Sequence, residues 1–213
     1  VTSAVRCILT DKQGFVWIGT KAGISRYDGH ELKKYVHSPN NPHSIPNNLI
    51  HQIAEDEMSN IWILTDKGIA RYQRQSDDFF LPTDEKGNPI IAYSTCLTKD
   101  GVLFGSKDKV YFYSYRDSSL RLLQKLNKGS NFNISLLSLW NEHTVLCCSR
   151  WQGLALLDLK TGKHRLPPFD CGKEIMNMLI DSQNRIWIAP YNEGIKCFTH
   201  NGELVKAYTT HNS

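Results

Sequence analysis

The chain has 213 residues, of which 40% are hydrophobic and 22% are charged, an ordinary balance for a globular protein. Its 25 basic and 21 acidic residues leave a formal charge of +4 without a run of Lys or Arg, so nucleic acid is not a predicted partner. No apolar run approaches the length that spans a membrane. The six cysteines include no Cys-x-x-Cys pair, so we predict no metal site, no cofactor and no disulfide framework.

Five copies of one pattern follow one another along the chain. In copies one, two and five the second strand carries a tryptophan, at Trp17, Trp62 and Trp187. Copies three and four are degenerate and place Phe104 and Leu146 at the same position. The anchors are 45, 42, 42 and 41 residues apart. A period of about 40–45 residues made only of short strands is typical of a four-stranded propeller blade.

The pattern therefore predicts an all-β fold, a β-propeller segment of four-stranded antiparallel blades. Each copy contains an inner strand, a turn, a second strand, a hairpin, a third strand and an outer strand. Helical repeats of similar length would show a 3.6-residue apolar period, which these segments lack. We predict one domain over residues 1–213, with five blades at approximately 1–45, 46–90, 91–130, 131–172 and 173–213.

Four recurring residue types indicate what each position does. An Asp that ends the inner strand is typical of a turn, at Asp11, Asp56, Asp100 and Asp181. The three tryptophans are predicted to be buried between neighbouring sheets. A Gly starts the third strand, where a tight hairpin needs positive φ, at Gly23, Gly68, Gly153 and Gly194. The aromatics that close the third strand are predicted core residues, at Tyr27, Tyr72, Tyr113 and Phe198.

The outer strands carry Lys, Arg and Glu, as exposed sheet edges should. They are predicted at residues 32–36, 78–81, 120–126, 163–166 and 203–208. The linker at 37–46 is too rich in Pro and Asn for regular structure.

The hairpins between second and third strands differ most between copies, and loops at one end of a rigid ring often bind ligands. Trp151 and Tyr191 lie in two of these hairpins, outside the repeating core positions. We predict that Trp151 and Tyr191 stack on the face of a sugar while Arg150 bonds a carboxylate or sulfate. Bare surface hairpins are the alternative interpretation.

Enzyme motifs are missing from the sequence: it contains no Gly-x-Ser-x-Gly, no His-Glu-x-x-His and no phosphate loop. The eight histidines are scattered through loops and outer strands, where a solvated surface role is expected. The inner strands are apolar and their acids lie at turns, whereas propeller hydrolases collect acids near the axis. We therefore predict no catalytic residues and no enzymatic activity for this segment.

Two stretches of the sequence resemble a known repeat. The stretch at 19–29, with Gly23, Arg26 and Asp28, and the stretch at 44–72 are similar to the two-component-regulator propeller repeat. That repeat occurs in periplasmic sensors of hybrid two-component systems of Bacteroidetes. Copies one, two and five match well and the other two loosely, so the resemblance covers essentially the whole chain.

The resemblance implies a larger parent chain: two seven-bladed propellers, a β-sandwich, a membrane helix, a histidine kinase and a DNA-binding output. It implies a periplasmic location, an oligosaccharide ligand, and membrane contact only through the parent. The remaining blades and the second propeller would be this segment's partners, and the kinase would lie outside it.

Five blades are two short of a seven-bladed ring. The segment stays open, closes as five, or pairs with another copy, and exposed blade faces favour the open or self-associating state, including a homodimer. The leading functional hypothesis is a sensing module for a glycan-derived oligosaccharide. The alternatives are a stand-alone propeller lectin, a polysaccharide-active enzyme, or a ligand-free dimerisation scaffold.

Overall fold

A computed structural model describes residues 4–126, 132–172 and 174–209. Within these ranges the regular elements are all β-strands, arranged as five four-stranded sheets. Each sheet corresponds to one predicted copy of the repeat and is called a blade here, numbered in chain order. In every blade the strands pair in chain order, so each blade is a simple meander.

The strands of the first three blades agree with the predicted runs. Their bounds are β1 Val5–Thr10, β2 Val16–Thr20, β3 Gly23–Tyr27 and β4 Leu32–Tyr35 in blade 1; β5 Ile50–Glu55, β6 Ile61–Thr65, β7 Gly68–Gln73 and β8 Asp78–Phe80 in blade 2; and β9 Ser94–Thr98, β10 Gly101–Ser106, β11 Lys109–Ser114 and β12 Leu120–Lys125 in blade 3.

Blades 4 and 5 follow the same order. Their strands are β13 Ile134–Asn141, β14 Thr144–Ser149, β15 Gly153–Asp158 and β16 His164–Arg165 in blade 4; and β17 Ile175–Ile180, β18 Ile186–Pro190, β19 Ile195–Phe198 and β20 Leu204–Tyr208 in blade 5. The four hairpin glycines all have positive φ, as predicted, with φ +79° at both Gly153 and Gly194.

The outer strand of blade 4 is shorter than predicted, and a proline explains why. β16 pairs with β15 only through Leu156 opposite Arg165 and Leu157 opposite His164. Continuing this register would place Pro167 opposite Leu154. A proline has no N–H to donate to a sheet, so the pairing ends and the chain leaves the sheet at residue 166.

The chain divides into two compact units. Unit 1 comprises Val1–Tyr93, Lys99–Val102 and Phe112–Arg121, and unit 2 comprises Ser94–Thr98, Leu103–Tyr111 and Leu122–Ser213. Blades 1 and 2 belong to unit 1, blades 4 and 5 belong to unit 2, and the strands of blade 3 contribute to both.

The repeated Asp and Trp of unit 1 are joined by a hydrogen bond. In blade 1 the Trp17 indole N–H donates to Asp11 over 3.0 Å, while the other Asp11 oxygen accepts the backbone N–H of Phe15. In blade 2 Trp62 donates to Asp56 over 2.7 Å. The turn role predicted for these aspartates is therefore confirmed, and the same carboxylate also satisfies the buried indole.

Blades 1 and 2 share one apolar core, and Trp17 is fully buried in it. Its ring meets Tyr72 of blade 2 edge-on at 4.8 Å and stacks on Tyr35 of its own blade at 6.1 Å. Trp62 repeats the contact with Tyr113 at 4.8 Å. Each tryptophan of unit 1 thus packs on the third-strand tyrosine of the following blade.

A hydrogen-bond network around one carboxylate, Asp77, joins blades 1 and 2 near their outer strands. Asp77 accepts hydrogen bonds of 2.6 Å from the hydroxyls of Tyr35 and Tyr72, and it pairs with the ammonium of Lys33. Burial opposes its ionisation, but these bonds outweigh burial and lower the pKa of Asp77 to about 2. The network ties the outer strand of blade 1 to the last turn of blade 2.

The core of unit 2 lies between blades 4 and 5, around Trp140, Leu146 and Ile188. Phe104 and Leu146, which replace the repeated tryptophan, are fully buried. Two predictions of burial were wrong. Trp187 is only half-buried, and Tyr27 is 39% exposed, because no described blade covers the faces that carry them.

Candidate ligand site

Two hairpins of unit 2 carry the three predicted site residues. The β14–β15 hairpin presents Arg150 and Trp151 before Gly153, whose positive φ lets the chain turn back sharply. The β18–β19 hairpin presents Tyr191 before Asn192, which has φ +57°. Asn tolerates this conformation better than most residues.

Backbone hydrogen bonds hold both hairpins against the start of β17. The amide of Ile175 donates to the carbonyl of Arg150 over 2.9 Å, and the amide of Tyr191 donates to the carbonyl of Glu174 over 2.7 Å. Because Glu174 and Ile175 are consecutive, the two hairpins are fixed to neighbouring peptide groups. The structure therefore brings Arg150 and Tyr191 to the same end of the blade 4–blade 5 pair.

Trp151 is a large exposed aromatic, with 61% of its surface accessible. The guanidinium carbon of Arg150 lies 5.0 Å from its ring centroid, a cation–π distance. Tyr191 is also exposed, at 53%. Arg150 and Trp151 thus form an adjoining cation and aromatic surface, as the hypothesis requires.

A cavity of about 350 Å³ opens beside Trp151. Its floor is Gly153 and Leu154, and its far wall is the linker that follows β16. That wall includes Leu166, which is 77% exposed, and the carboxylate of Asp170. The volume lies at the lower end of the range for small-molecule pockets.

The linker wall is held in place by Phe169. Its ring stacks on Phe198 of blade 5 at 4.5 Å and meets Trp140 of blade 4 at 6.2 Å. Leu166 and Pro167 lie between the end of β16 and Phe169, so both ends of this short segment are fixed. The rigid sheets thus position a non-repeating loop, which is a common way to build a site.

A second cavity of about 330 Å³ adjoins the first along β15. The two share Gln152, Leu154 and Leu166, and the second adds the basic side chains His164 and Arg165. The pair forms a groove with an aromatic end at Trp151 and a basic end at Arg165. In such a groove a flat or apolar ring can stack on the indole, and an anionic group can pair with the basic side chains.

The chemistry of the lining residues suits binding. Cys171 lines the first cavity, but burial raises the pKa of its thiol, so it is protonated and a poor nucleophile at neutral pH. Asp170 is the one carboxylate among the described lining residues of the two cavities. Glycoside hydrolysis ordinarily requires a pair of carboxyl groups flanking the scissile bond.

Of the three predicted site residues, Trp151 lines the cavity, whereas Arg150 and Tyr191 lie outside its lining. The linker residues Leu166 and Phe169 were missed. Their signal in the sequence is the Leu-Pro-Pro-Phe run at 166–169, an apolar run in a segment expected to be a solvated edge.

Solved structures establish the class of fold. The extracellular domain assigned to the hybrid two-component system BT3049 of Bacteroides thetaiotaomicron superposes with a TM-score of 0.75 at 18% identity, covering 92% of this chain and 28% of that one. The extracellular domain of BT4673 from the same organism gives 0.73 at 20%, covering 98% and 29%. PorZ, a surface component of the type-IX secretion system of Porphyromonas gingivalis, gives 0.70 at 15%, covering 97% and 34%. The chain is a β-propeller segment, as predicted.

The repeat family is identified at the N-terminus, where residues 1–22 match the two-component-regulator propeller repeat. The predicted recognition of this repeat is confirmed there. The chain spans about three tenths of the length of the solved structures described above. No curated protein matches the sequence.

Among residues 4–126, 132–172 and 174–209, no three His, Cys, Asp or Glu side chains are grouped so that they could hold a metal ion. In the same part of the chain, no helix has the length and apolar character needed to cross a membrane.

Proposed function

We propose that this chain is a ligand-binding part of the extracytoplasmic, periplasmic sensor of a hybrid two-component system, and that it binds a glycan-derived oligosaccharide. The observation that carries the proposal is the exposed Trp151 with Arg150 above it, at the mouth of the 350 Å³ cavity. The repeat match at residues 1–22 and the fold shared with two extracellular sensor domains support the sensory context.

The site favours a sugar with an acidic substituent. The apolar face of a sugar ring stacks on an indole, and a carboxylate or sulfate pairs with a guanidinium. Arg150 and Arg165 lie at either end of the groove, so two positions for an anionic group are available. Asp170 disfavours an anion in the middle of the groove.

Signalling would pass to the remaining blades and to the second propeller of the parent chain. In this proposal the ligand changes how the segment packs on its neighbours, and the membrane is reached only through the parent. The histidine kinase lies outside residues 1–213, so the segment itself is not catalytic.

The test is binding of uronate-containing oligosaccharides, with neutral oligosaccharides of equal length as the comparison, measured by titration calorimetry. We expect the Trp151→Ala, Tyr191→Ala double variant to lose at least about tenfold in affinity, since each stacking contact contributes about 0.5–1.5 kcal/mol beyond area burial. Arg150→Gln should weaken the acidic ligand and leave the neutral one unchanged. Phe80→Ala removes an exposed aromatic of blade 2 and is the matched control.

Unchanged affinity in the double variant would overturn this site. The same titrations distinguish the alternative functions. Turnover of a ligand would favour a polysaccharide-active enzyme, and absence of both binding and turnover over a broad glycan panel would favour a scaffold. Binding by a chain whose gene encodes no kinase would favour a stand-alone lectin.

A further inference from the structure

An arginine meets a tyrosine where blade 1 contacts blade 2, and again where blade 2 contacts blade 3. Arg26 of blade 1 donates to the hydroxyl of Tyr72, and Arg71 of blade 2 donates to the hydroxyl of Tyr113 over 2.7 Å. Each tyrosine ring also meets the tryptophan of the preceding blade edge-on, at 4.8 Å and 65° in both cases. The two contacts can therefore be compared residue by residue.

At the first contact a carboxylate completes the arrangement. Asp77 accepts the hydroxyl proton of Tyr72 over 2.6 Å and lies 3.5 Å from the guanidinium of Arg26. Lys33 and Tyr35 of the outer strand bind the same carboxylate. The Tyr72 hydroxyl thus accepts from the arginine and donates to the acid, which uses both of its hydrogen-bonding functions.

At the second contact this carboxylate is replaced by a serine. Ser118 occupies the equivalent position in the last turn of blade 3, with φ +52° against +56° at Asp77. The residues that follow them, Ser119 and Asp78, are both paired with the third strand of their own blade. The adjacent acid, Asp117, accepts bonds from the backbone N–H and the hydroxyl of Ser119, so it is engaged within its own turn.

The outer strand does not supply the missing partner. Phe80 pairs with Arg71 in the register in which Lys33 pairs with Arg26, and its ring lies 5.1 Å from the guanidinium carbon. Within the part of the chain that the structure describes, no carboxylate pairs with Arg71 and no acceptor receives the hydroxyl proton of Tyr113, although Tyr113 is only 1% exposed. A buried donor without an acceptor is unfavourable, so this position favours an added oxyanion.

We propose that Arg71 and Tyr113 form a binding site for the carboxylate or sulfate group of a ligand, at the place that corresponds to Asp77 in the first contact. The Tyr113 hydroxyl would donate one bond to the anion. A guanidinium has five N–H donors, so Arg71 can bind the anion while it keeps its bond to Tyr113. The turn at Ser118 is exposed, which leaves the site open to solvent. The site shares no residue with the ligand site proposed in unit 2.

Titration with sodium sulfate, followed by NMR at constant ionic strength, tests the site. We expect saturable shifts of the backbone amide signals of residues 113 and 118. Ser118→Asp supplies the missing carboxylate from an exposed position, so it should abolish these shifts and raise the urea midpoint of unfolding. Arg26→Gln is the matched control, because Arg26 is already paired with Asp77, and sulfate binding should be unchanged.

Two variants test the donors directly. Arg71→Gln and Tyr113→Phe should each weaken sulfate binding by about tenfold or more, because each removes a hydrogen bond to a charged group. Sodium glucuronate, with glucose as the neutral comparison, distinguishes the source of the anion. Tighter binding of glucuronate than of sulfate, with the same dependence on Arg71, would assign the group to an acidic sugar, and binding of sulfate alone would assign it to a free oxyanion.

Three results would overturn the proposal. One is the absence of saturable shifts up to about 50 mM sulfate, since weaker binding would not be specific. Another is an unchanged sulfate affinity in Arg71→Gln. The third is an unchanged affinity in Ser118→Asp, whose substitution lies on the surface and leaves Arg71 and Tyr113 in place.

Discussion

Trp17 and Trp187 are the same residue of the same repeat in two different surroundings. Each donates its indole N–H to the Asp six residues earlier, and each stacks on the outer-strand tyrosine of its own blade, at 6.1 Å and 6.2 Å. Trp17 also has Tyr72 of the next blade against it and is fully buried. Trp187 has no such neighbour among the described residues and is only partly buried.

The comparison separates what a blade provides for itself from what its neighbour provides. Orientation of the indole is local, because the Asp turn and the stacked tyrosine are present in both blades. Burial depends on the next blade, because only a neighbouring blade removes the second side of the ring from water. In a repeat protein the energy of such a residue therefore belongs largely to the interface between units.

The largest expected effect is the difference between the two Trp→Ala variants. Trp17→Ala should lower the free energy of unfolding by about 3–5 kcal/mol, because it removes a fully buried ring and leaves a cavity. Trp187→Ala should cost about 1–2 kcal/mol, because the ring is only partly buried and no described blade packs on its outer side. Urea unfolding followed by circular dichroism, at a concentration where the chain is monomeric, measures both. Equal losses would show that the two faces are equally covered.

The aspartates bonded to the two tryptophans should show the same order of effects: replacing Asp11 should cost more stability than replacing Asp181. Asp11 is buried and also accepts a 3.0 Å bond from Arg74 of blade 2, so Asp11→Ala leaves the Trp17 indole N–H unpaired and removes one of the partners of Arg74. We expect a loss of about 2–4 kcal/mol. Asp181 is paired within blade 5 by Arg185, and Asp181→Ala should shift the urea midpoint by clearly less. A larger shift for Asp181→Ala would contradict the assignment of Asp11 to a buried inter-blade network.

Most of the fold could be predicted because its determinants are periodic. The recurring Trp and Gly positions mark each blade, and Phe104 and Leu146 could be aligned with them by spacing alone. The bond from Asp to Trp was not predicted, although an Asp and a Trp six residues apart recur in copies one, two and five. Its reason is the turn geometry, which only the folded backbone shows.

The site could be predicted only in part. Trp151 could be proposed from the sequence because it lies outside the repeating positions, so no core role accounts for it. Leu166 and Asp170 reach the cavity because Phe169 anchors their linker on two blades, a contact between residues distant in sequence. The exposure of Trp187 depends likewise on what covers the face, which a residue-by-residue repeat does not specify.

Acid should weaken the contact between blades 1 and 2 through Asp77. The pKa of Asp77 is lowered to about 2, against about 3.9 in an unfolded chain, so its contribution is complete above pH 4 and is lost as pH falls towards 2. Asp77→Asn should cost about 1–2 kcal/mol at pH 7, and its difference from the wild type should vanish near pH 2. Stability measured from pH 2 to pH 7 checks this.

The matched control uses the two lysines. Lys33 pairs with Asp77, so Lys33→Gln should reduce the acid dependence. Lys206 of blade 5 occupies the equivalent position beside Tyr208 and has no described carboxylate partner, so Lys206→Gln should leave the acid profile unchanged. An acid profile that is the same in Asp77→Asn as in the wild type would rule out the network as its source.

The smallest expected effect concerns one hydroxyl group. Tyr35→Phe removes a 2.6 Å bond to an ionised carboxylate and should cost about 1–2 kcal/mol. Tyr208→Phe, at the equivalent and exposed position of blade 5, should change stability very little. Both rings keep their stack on tryptophan, so the comparison isolates the hydroxyl. If the cost comes from Asp77, Tyr35→Phe should have almost no further effect in the Asp77→Ala background, where the acceptor is absent, because coupled residues are not additive. A full additional loss in the double variant would show that the Tyr35 hydroxyl acts through a partner other than Asp77.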